Sequence, residues 1–199
     1  MTNDWRLLVD ILRDPKMQDQ KERICIDSYT PDGTAFVFPK ELTGHDRDQV
    51  AKVEPLRWKP FIGKYTSDLY AISEKPTEFR LIIRGKQGFD NFDYLIGKYC
   101  NLYSCRELGI KSVRLILHMF TGEMPKYLRK TDGFYYLAEA EENMDGDGFF
   151  WAVHNGNYHK YPLFRGKRMP GVTAYGYVYS IRPVIELPKT LYAREVQKK

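Results

Sequence analysis

Tyr175-Gly176-Tyr177-Val178-Tyr179-Ser180-Ile181-Arg182-Pro183-Val184-Ile185-Glu186-Leu187 is the stretch on which the fold turns. Tyr175, Tyr177, Tyr179 and Ile181 fall on one face at a period of two, which predicts a β-strand over Tyr175–Leu187. Pro183 has no N–H to give to a ladder, so it belongs on an edge or at a bulge. Arg182 can lay its stem under the neighbouring tyrosines and donate inward, which marks it as a residue that holds the fold rather than a ligand contact.

Upstream of this stretch the chain is also β-rich. Phe134–Leu137, Phe149–Val153 and Tyr158–Phe164 read as strands. His154-Asn155-Gly156-Asn157 joins two of them, and Asn-Gly is a strong signal for a type I′ hairpin turn, which needs positive φ at both central residues. Further back, Phe92, Leu95, Ile96, Tyr99, Cys100 and Tyr103 recur at helical spacing and predict a helix over Asp90–Ser104 with Asp90 as N-cap. Val113–Phe120 is apolar throughout, and its period does not separate strand from buried helix.

The first half holds shorter signals. Ile24–Ile26, Ala35–Phe38, Leu56–Lys59, Leu69–Ile72 and Phe79–Ile83 are strand candidates, Tyr29–Gly33 is a turn, and residues 39–55 read as a polar loop. Residues 3–14 predict an amphipathic helix with Trp5, Leu8, Ile11 and Leu12 on one face, stopped by Pro15. The expected organisation is an N-terminal helix and connector over 1–20 followed by one α+β domain over 21–199. An isolated helix of this length is marginal in water, so its apolar face needs cover, either on its own domain or on a second copy of the chain; the polar connector behind it tips the expectation towards an oligomer or carrier contact.

Composition agrees with one packed domain. The chain has 199 residues, 43% of them hydrophobic, with 15 tyrosines and a formal charge of +5. That charge permits an acidic or nucleic-acid partner without requiring one. Three cysteines, Cys25, Cys100 and Cys105, without paired spacing point to reduced thiols. The start has no secretory signature and no apolar run reaches the roughly 20 residues of a membrane span. Synthesis and folding in a host cytoplasm, with no membrane partner, are therefore expected.

Four pieces read in order resemble a known family: Ile26–Gly33; Leu56-Arg57-Trp58 with Leu69–Thr77; Gly88-Phe89-Asp90-Asn91 running into the helix that ends Cys100–Ser104; and Tyr179–Leu187. The order resembles the C-type-lectin-like domain of prophage and bacterial surface proteins, whose final strand carries Arg-Pro-Val-x-x-Leu, and more distantly the formylglycine-generating-enzyme fold. The resemblance spans about residues 24–188 and departs from the family at Tyr135-Tyr136-Leu137-Ala138, where the family has Trp-Trp-Leu-Arg. It implies small twisted antiparallel sheets with one or two packed helices, and a ligand surface on the long loop before the last strand.

The candidate sites weigh as follows. Tyr158, His159, Lys160 and Tyr161, with Arg165, Lys167, Arg168 and Tyr175, interleave cations and aromatics, the pattern of a surface that pairs with anions and stacks rings. A solvated loop is the plain alternative. Asn143–Gly148 carries Asp145 and Asp147 but lacks the distal Glu of a calcium loop, so it reads as an acidic turn. His45, His118, His154 and His159 find no further ligands at metal spacing. Cys100 and Cys105 lie mid-chain, unlike the late active cysteines of the formylglycine-generating enzyme. No catalytic motif is evident. The expectation is no enzyme, no metal and no cofactor. Arg182 and Pro183 hold the fold.

Two functions follow. One is a non-catalytic binding or structural module of phage or prophage origin, virion-associated, with a protein or glycan ligand. The other is a phage-encoded intracellular inhibitor of a host defence protein or nucleoprotein complex, of the anti-CRISPR kind.

Overall fold

The computed structural model describes residues 5–17, 24, 26, 34–113, 124–129, 134–164 and 176–194. The Val113–Phe120 run, apart from its first residue, and the Tyr29–Gly33 turn lie outside them. So do Cys25, His118, Arg165, Lys167, Arg168 and Tyr175.

The protein is α+β. Among the described residues the strands are β1 (Trp5–Leu7), β2 (Ala35–Phe38), β3 (Gln49–Lys52), β4 (Trp58–Ile62), β5 (Leu69–Ser73), β6 (Arg80–Arg84) and β7 (Lys111–Val113). They continue as β8 (Phe134–Glu142), β9 (Gly148–His154), β10 (Asn157–Phe164), β11 (Gly176–Ile181), β12 (Val184–Leu187) and β13 (Tyr192–Arg194). The helices are α1 (Leu8–Arg13), α2 (Lys40–Thr43), α3 (Gly85–Cys100) and α4 (Lys126–Arg129). One sheet has the order β10-β9-β8-β11-β6 and a second the order β4-β5-β12-β7, while β1-β13 and β2-β3 form two-stranded ribbons. Most pairs are antiparallel, but β11 meets β8 in parallel at Ser180 and Ile181.

The long strand expected over Tyr175–Leu187 is two strands in two sheets. β11 ends at Ile181 and β12 begins at Val184, so the chain changes sheet at Arg182-Pro183. Pro183 is therefore not on an edge: β12 lies between β5 and β7. The break is stitched by the loop after β5. Ser73 N–H donates to the Pro183 carbonyl (3.0 Å), Thr77 N–H to the Ile181 carbonyl (2.8 Å), and Ile181 N–H to Thr77 Oγ1 (3.2 Å). Ser73 stands opposite Pro183, and its carbonyl, which a proline N–H cannot reach, accepts instead from Arg182 Nε (2.9 Å).

Alternation along β8 separates two cores. Tyr136 joins the main cluster with Phe92, Leu95, Ile96, Tyr99 and Phe150, while Tyr135 and Leu137 face a second cluster with Phe61, Tyr70, Ile72, Leu128, Val153 and Val184. α3 buries the apolar face read from the sequence, but it starts five residues before Asp90, after Arg84. Asp90 is not its cap; it lies within the helix, paired with Lys86 one turn back (2.7 Å). Along this first turn α3 closely approaches α2. A Cβ on Gly88 would lie 2.7 Å from both Ile83 Cγ2 and the Thr43 carbonyl oxygen, and one on Gly44 (φ +68°) would lie 2.2 Å from the Arg84 carbonyl oxygen.

Residues 39–55 are not a loop: they carry α2 and β3. β3 buries Gln49 and exposes Val50, the reverse of the usual pattern. The Gln49 amide accepts from Ile82 N–H (2.8 Å) and donates to the Ile82 carbonyl (2.8 Å). It stands in for a neighbouring strand along the outer edge of β6.

At the N-terminus the expected helix over 3–14 is shorter, because Trp5–Leu7 pairs with Tyr192–Arg194 as a ribbon. Leu8, Ile11 and Leu12 are buried, Leu8 and Leu12 within the main core, and Trp5 stays 64% exposed. The helix is thus covered by its own chain along three of the four residues of its apolar face.

Candidate functional site

The Asn-Gly turn forms as expected. Asn155 (φ +49°) and Gly156 (φ +79°) close β9 onto β10, with His154 opposite Asn157. Alternation along β10 then divides the four described residues of the expected binding surface. His159 and Tyr161 share one face with His154 and Phe150, and their rings run in series: Phe150 to Tyr161 at 5.7 Å, Tyr161 to His159 at 5.8 Å, and His159 to His154 at 6.0 Å. Tyr158 and Lys160 project from the opposite face. The four cannot meet one ligand together. Arg165, Lys167, Arg168 and Tyr175, the rest of the expected surface, fall outside the described residues.

The Lys160 face is preorganised. Its ammonium pairs with Glu141 on β8 and lies over the rings of Phe149 (4.8 Å) and Trp151 (5.6 Å). Trp151 Nε1 donates to the other oxygen of the same carboxylate (3.1 Å). The hydrogen bonds from Lys160 and then Trp151 hold the Glu141 carboxyl below its ordinary pKa. Phe149, Trp151 and Tyr158 are each partly exposed, so the face is an aromatic strip clamped by one ion pair. Lys160 is engaged within the strip and is not a free cation awaiting an anion.

Arg182 lies 2% exposed where the two sheets meet. Its Nε donates to the Ser73 carbonyl (2.9 Å), Nη1 to the Leu128 carbonyl (2.5 Å) and to Tyr135 Oη (3.5 Å), and Nη2 to the Glu74 carbonyl (3.3 Å). The guanidinium also lies 5.4 Å from the Tyr135 ring centroid. Burial lowers the Arg182 pKa and pushes that of Tyr135 up to about 12. These contacts join the end of β5, α4 and β8 to the sheet crossover. Nothing in them points to a ligand.

The remaining candidates separate. In the acidic turn, Asn143 Oδ1 accepts from the N–H groups of Asp145 (3.0 Å) and Asp147 (2.8 Å), and Gly146 takes φ +75°. The side chain that organises the turn is an amide. Among the described residues no group of three or more His, Cys, Asp or Glu side chains gathers as a metal would need. His45 bonds locally with Arg47. Cys100 is buried, and Cys105 Sγ lies 3.4 Å from a Glu107 oxygen.

One feature was not anticipated from the sequence. On the outer side of α3, a cleft of about 350 Å³ is lined by Asp93, Tyr94, Gly97, Lys98, Asn101 and Ser112. Asp93, Gly97 and Asn101 follow one another at intervals of four residues along the helix and its 3-10 extension, and Ser112 closes the cleft from β7. Ser112 Oγ donates to Asn101 Oδ1 (2.6 Å), and Lys98 Nζ lies over the Tyr94 ring, 5.5 Å from its centroid. The signal available in the sequence was Tyr94 itself, an aromatic on the polar face of an amphipathic helix and 56% exposed.

No family model matches this chain, and comparisons with curated proteins and with solved structures return no match either.

Proposed function

We propose that this chain is a non-catalytic binding module of phage or prophage origin with a C-type-lectin-like arrangement, displaying ligand surfaces from a rigid α+β core. The observation that carries the reading is the strip on β8–β10. Trp151 and Phe149 are partly exposed yet held in place by Lys160 and Glu141, so their ordering cost is met before a ligand arrives. Aromatic side chains with a fixed orientation are effective contact groups for protein and glycan ligands. The lectin-like assignment rests on the ordered motifs that end in Ile181-Arg182-Pro183-Val184.

The test is Trp151→Ala together with Lys160→Glu, assayed for folding by melting and for ligand capture on a glycan array and on host-cell envelopes. Loss of capture with a retained transition supports the reading. Full capture by the folded variants rejects the strip as the binding surface. The net charge of +5 is the observation that favours the second reading, an intracellular inhibitor of a host defence nucleoprotein. Purified virions separate the two: the chain is part of the particle under the first and is left in the lysate under the second.

A further inference from the structure

The α3–β7 cleft brings together groups of unlike chemistry within one small volume: a carboxylate (Asp93), an ammonium (Lys98), an amide and a hydroxyl (Asn101 and Ser112) and an exposed phenol ring (Tyr94). At about 350 Å³ it sits at the small end of the ~300–1,000 Å³ typical of ligand sites, so it takes one ring-sized unit rather than a chain. We propose that this cleft is a subsite for a single neutral sugar ring. The proposal rests on the binding-module reading above and gives that module a second, separate contact surface.

The chemistry selects the class. A neutral sugar offers hydroxyls that both donate and accept, and an apolar face of C–H groups. Asp93 accepts from hydroxyls, Lys98 donates to them, and the Asn101 Nδ2 group donates while its Oδ1 is occupied by Ser112. The Ser112 bond fixes which way the amide points, so its N–H groups are aimed rather than free to rotate. The Tyr94 ring, half exposed at the rim, supplies the flat apolar surface against which a sugar face packs. A phosphate or sulfate suits the cleft less well, because Asp93 places a negative charge beside its one ammonium. The cleft is open and its lining is mixed polar and apolar, which fits a ligand that has both hydroxyls and an apolar face and keeps part of its hydration.

The experiment titrates the full chain with glucose, galactose, mannose and N-acetylglucosamine, each tested separately, while observing the Tyr94 ring and Asn101 side-chain amide signals by NMR. Saturable shifts of both signals with at least one of these sugars are expected. Tyr94→Ala should weaken that binding by about two- to tenfold, the scale of one lost ring contact, with the melting temperature retained. Lys98→Ala, at an exposed position, serves as a second variant if Tyr94→Ala does not fold. Absence of saturable shifts with all four sugars overturns the proposal, and so does undiminished binding by the folded variants. Saturation by inorganic phosphate but by no sugar overturns the ligand class. Glycan capture that is lost in Trp151→Ala, together with no saturable sugar shift at Tyr94 or Asn101, removes the cleft while leaving the binding module in place. Failure to capture any glycan or envelope component, together with no such shift, removes both.

Discussion

Replacing Arg182 by Met keeps the length and apolar stem of the side chain and removes every donor. Four acceptors then lose a partner: the carbonyls of Ser73, Glu74 and Leu128, and Tyr135 Oη. A hydrogen bond to a charged group contributes about 1.5–3 kcal/mol net, and each buried acceptor left unsatisfied costs about 1–3 kcal/mol. The opposing effect is real: a guanidinium that is 2% exposed has surrendered its hydration, and replacing a whole buried ionic set by apolar groups is often neutral. Here three of the four acceptors are main-chain carbonyls, and the substitution leaves all four behind, so the desolvation gain does not cancel the loss. The expected cost is about 3–5 kcal/mol, the range for breaking one side of a buried charged network. For a chain of this size that lowers the melting temperature by about 6–20 °C. Arg182→Lys keeps the charge but has one nitrogen to reach acceptors spread around a planar fork, so it should fall between Met and the native residue. Urea unfolding with a common m-value measures both. A Met variant within about 0.5 kcal/mol of the native protein would refute the reasoning, because it would mean that water or local relaxation satisfies those carbonyls.

Other outcomes follow from the same geometry. Gly88→Ala gains about 1 kcal/mol of helix propensity in principle, but its methyl meets the Thr43 carbonyl oxygen at 2.7 Å, so urea unfolding should show a net loss. Gln49→Leu removes both bonds to Ile82 and should cost about 1–3 kcal/mol, with hydrogen exchange at the Ile82 amide accelerated ahead of that in β11. Glu141 has a folded pKa below its unfolded value, so its contribution is present above the unfolded pKa, near 4.3, and is lost as pH falls through the lowered folded one. Lys160→Ala should reduce that acid-side slope, leaving the part due to Trp151, while costing no more than about 1 kcal/mol at neutral pH, as read from melting curves at a series of pH values. Excess chelator should leave the melting temperature unchanged; a clear drop would revive Asp145 and Asp147 as calcium ligands.

Local patterns made much of this architecture legible. The apolar face of α3 and its 3-10 extension, from Phe92 to Tyr103, was readable because the 3.6-residue period is a property of the helix alone. The β9–β10 hairpin was readable because Asn155-Gly156 meets its backbone requirement without help from the rest of the chain. The α+β class followed from the alternation of such signals. Tertiary structure decided what depends on distant partners. Arg182-Pro183 looks like the interior of one strand; only Ser73 and Thr77, more than 100 residues away, turn it into a crossover between sheets. Gln49-Val50-Ala51-Lys52 reads as a loop because its buried position is polar, and the amide is explained only by the edge of β6, 33 residues on. The start of α3 was misplaced because Gly85 and Gly88 are poor helix formers, while Gly88 is required there by contact with Thr43. The cleft at Tyr94 needs both α3 and β7 before it exists. Periodicity reports which side of an element is covered; it carries no information about which distant segment covers it, because that choice is made by packing and hydrogen bonding among groups far apart in the chain.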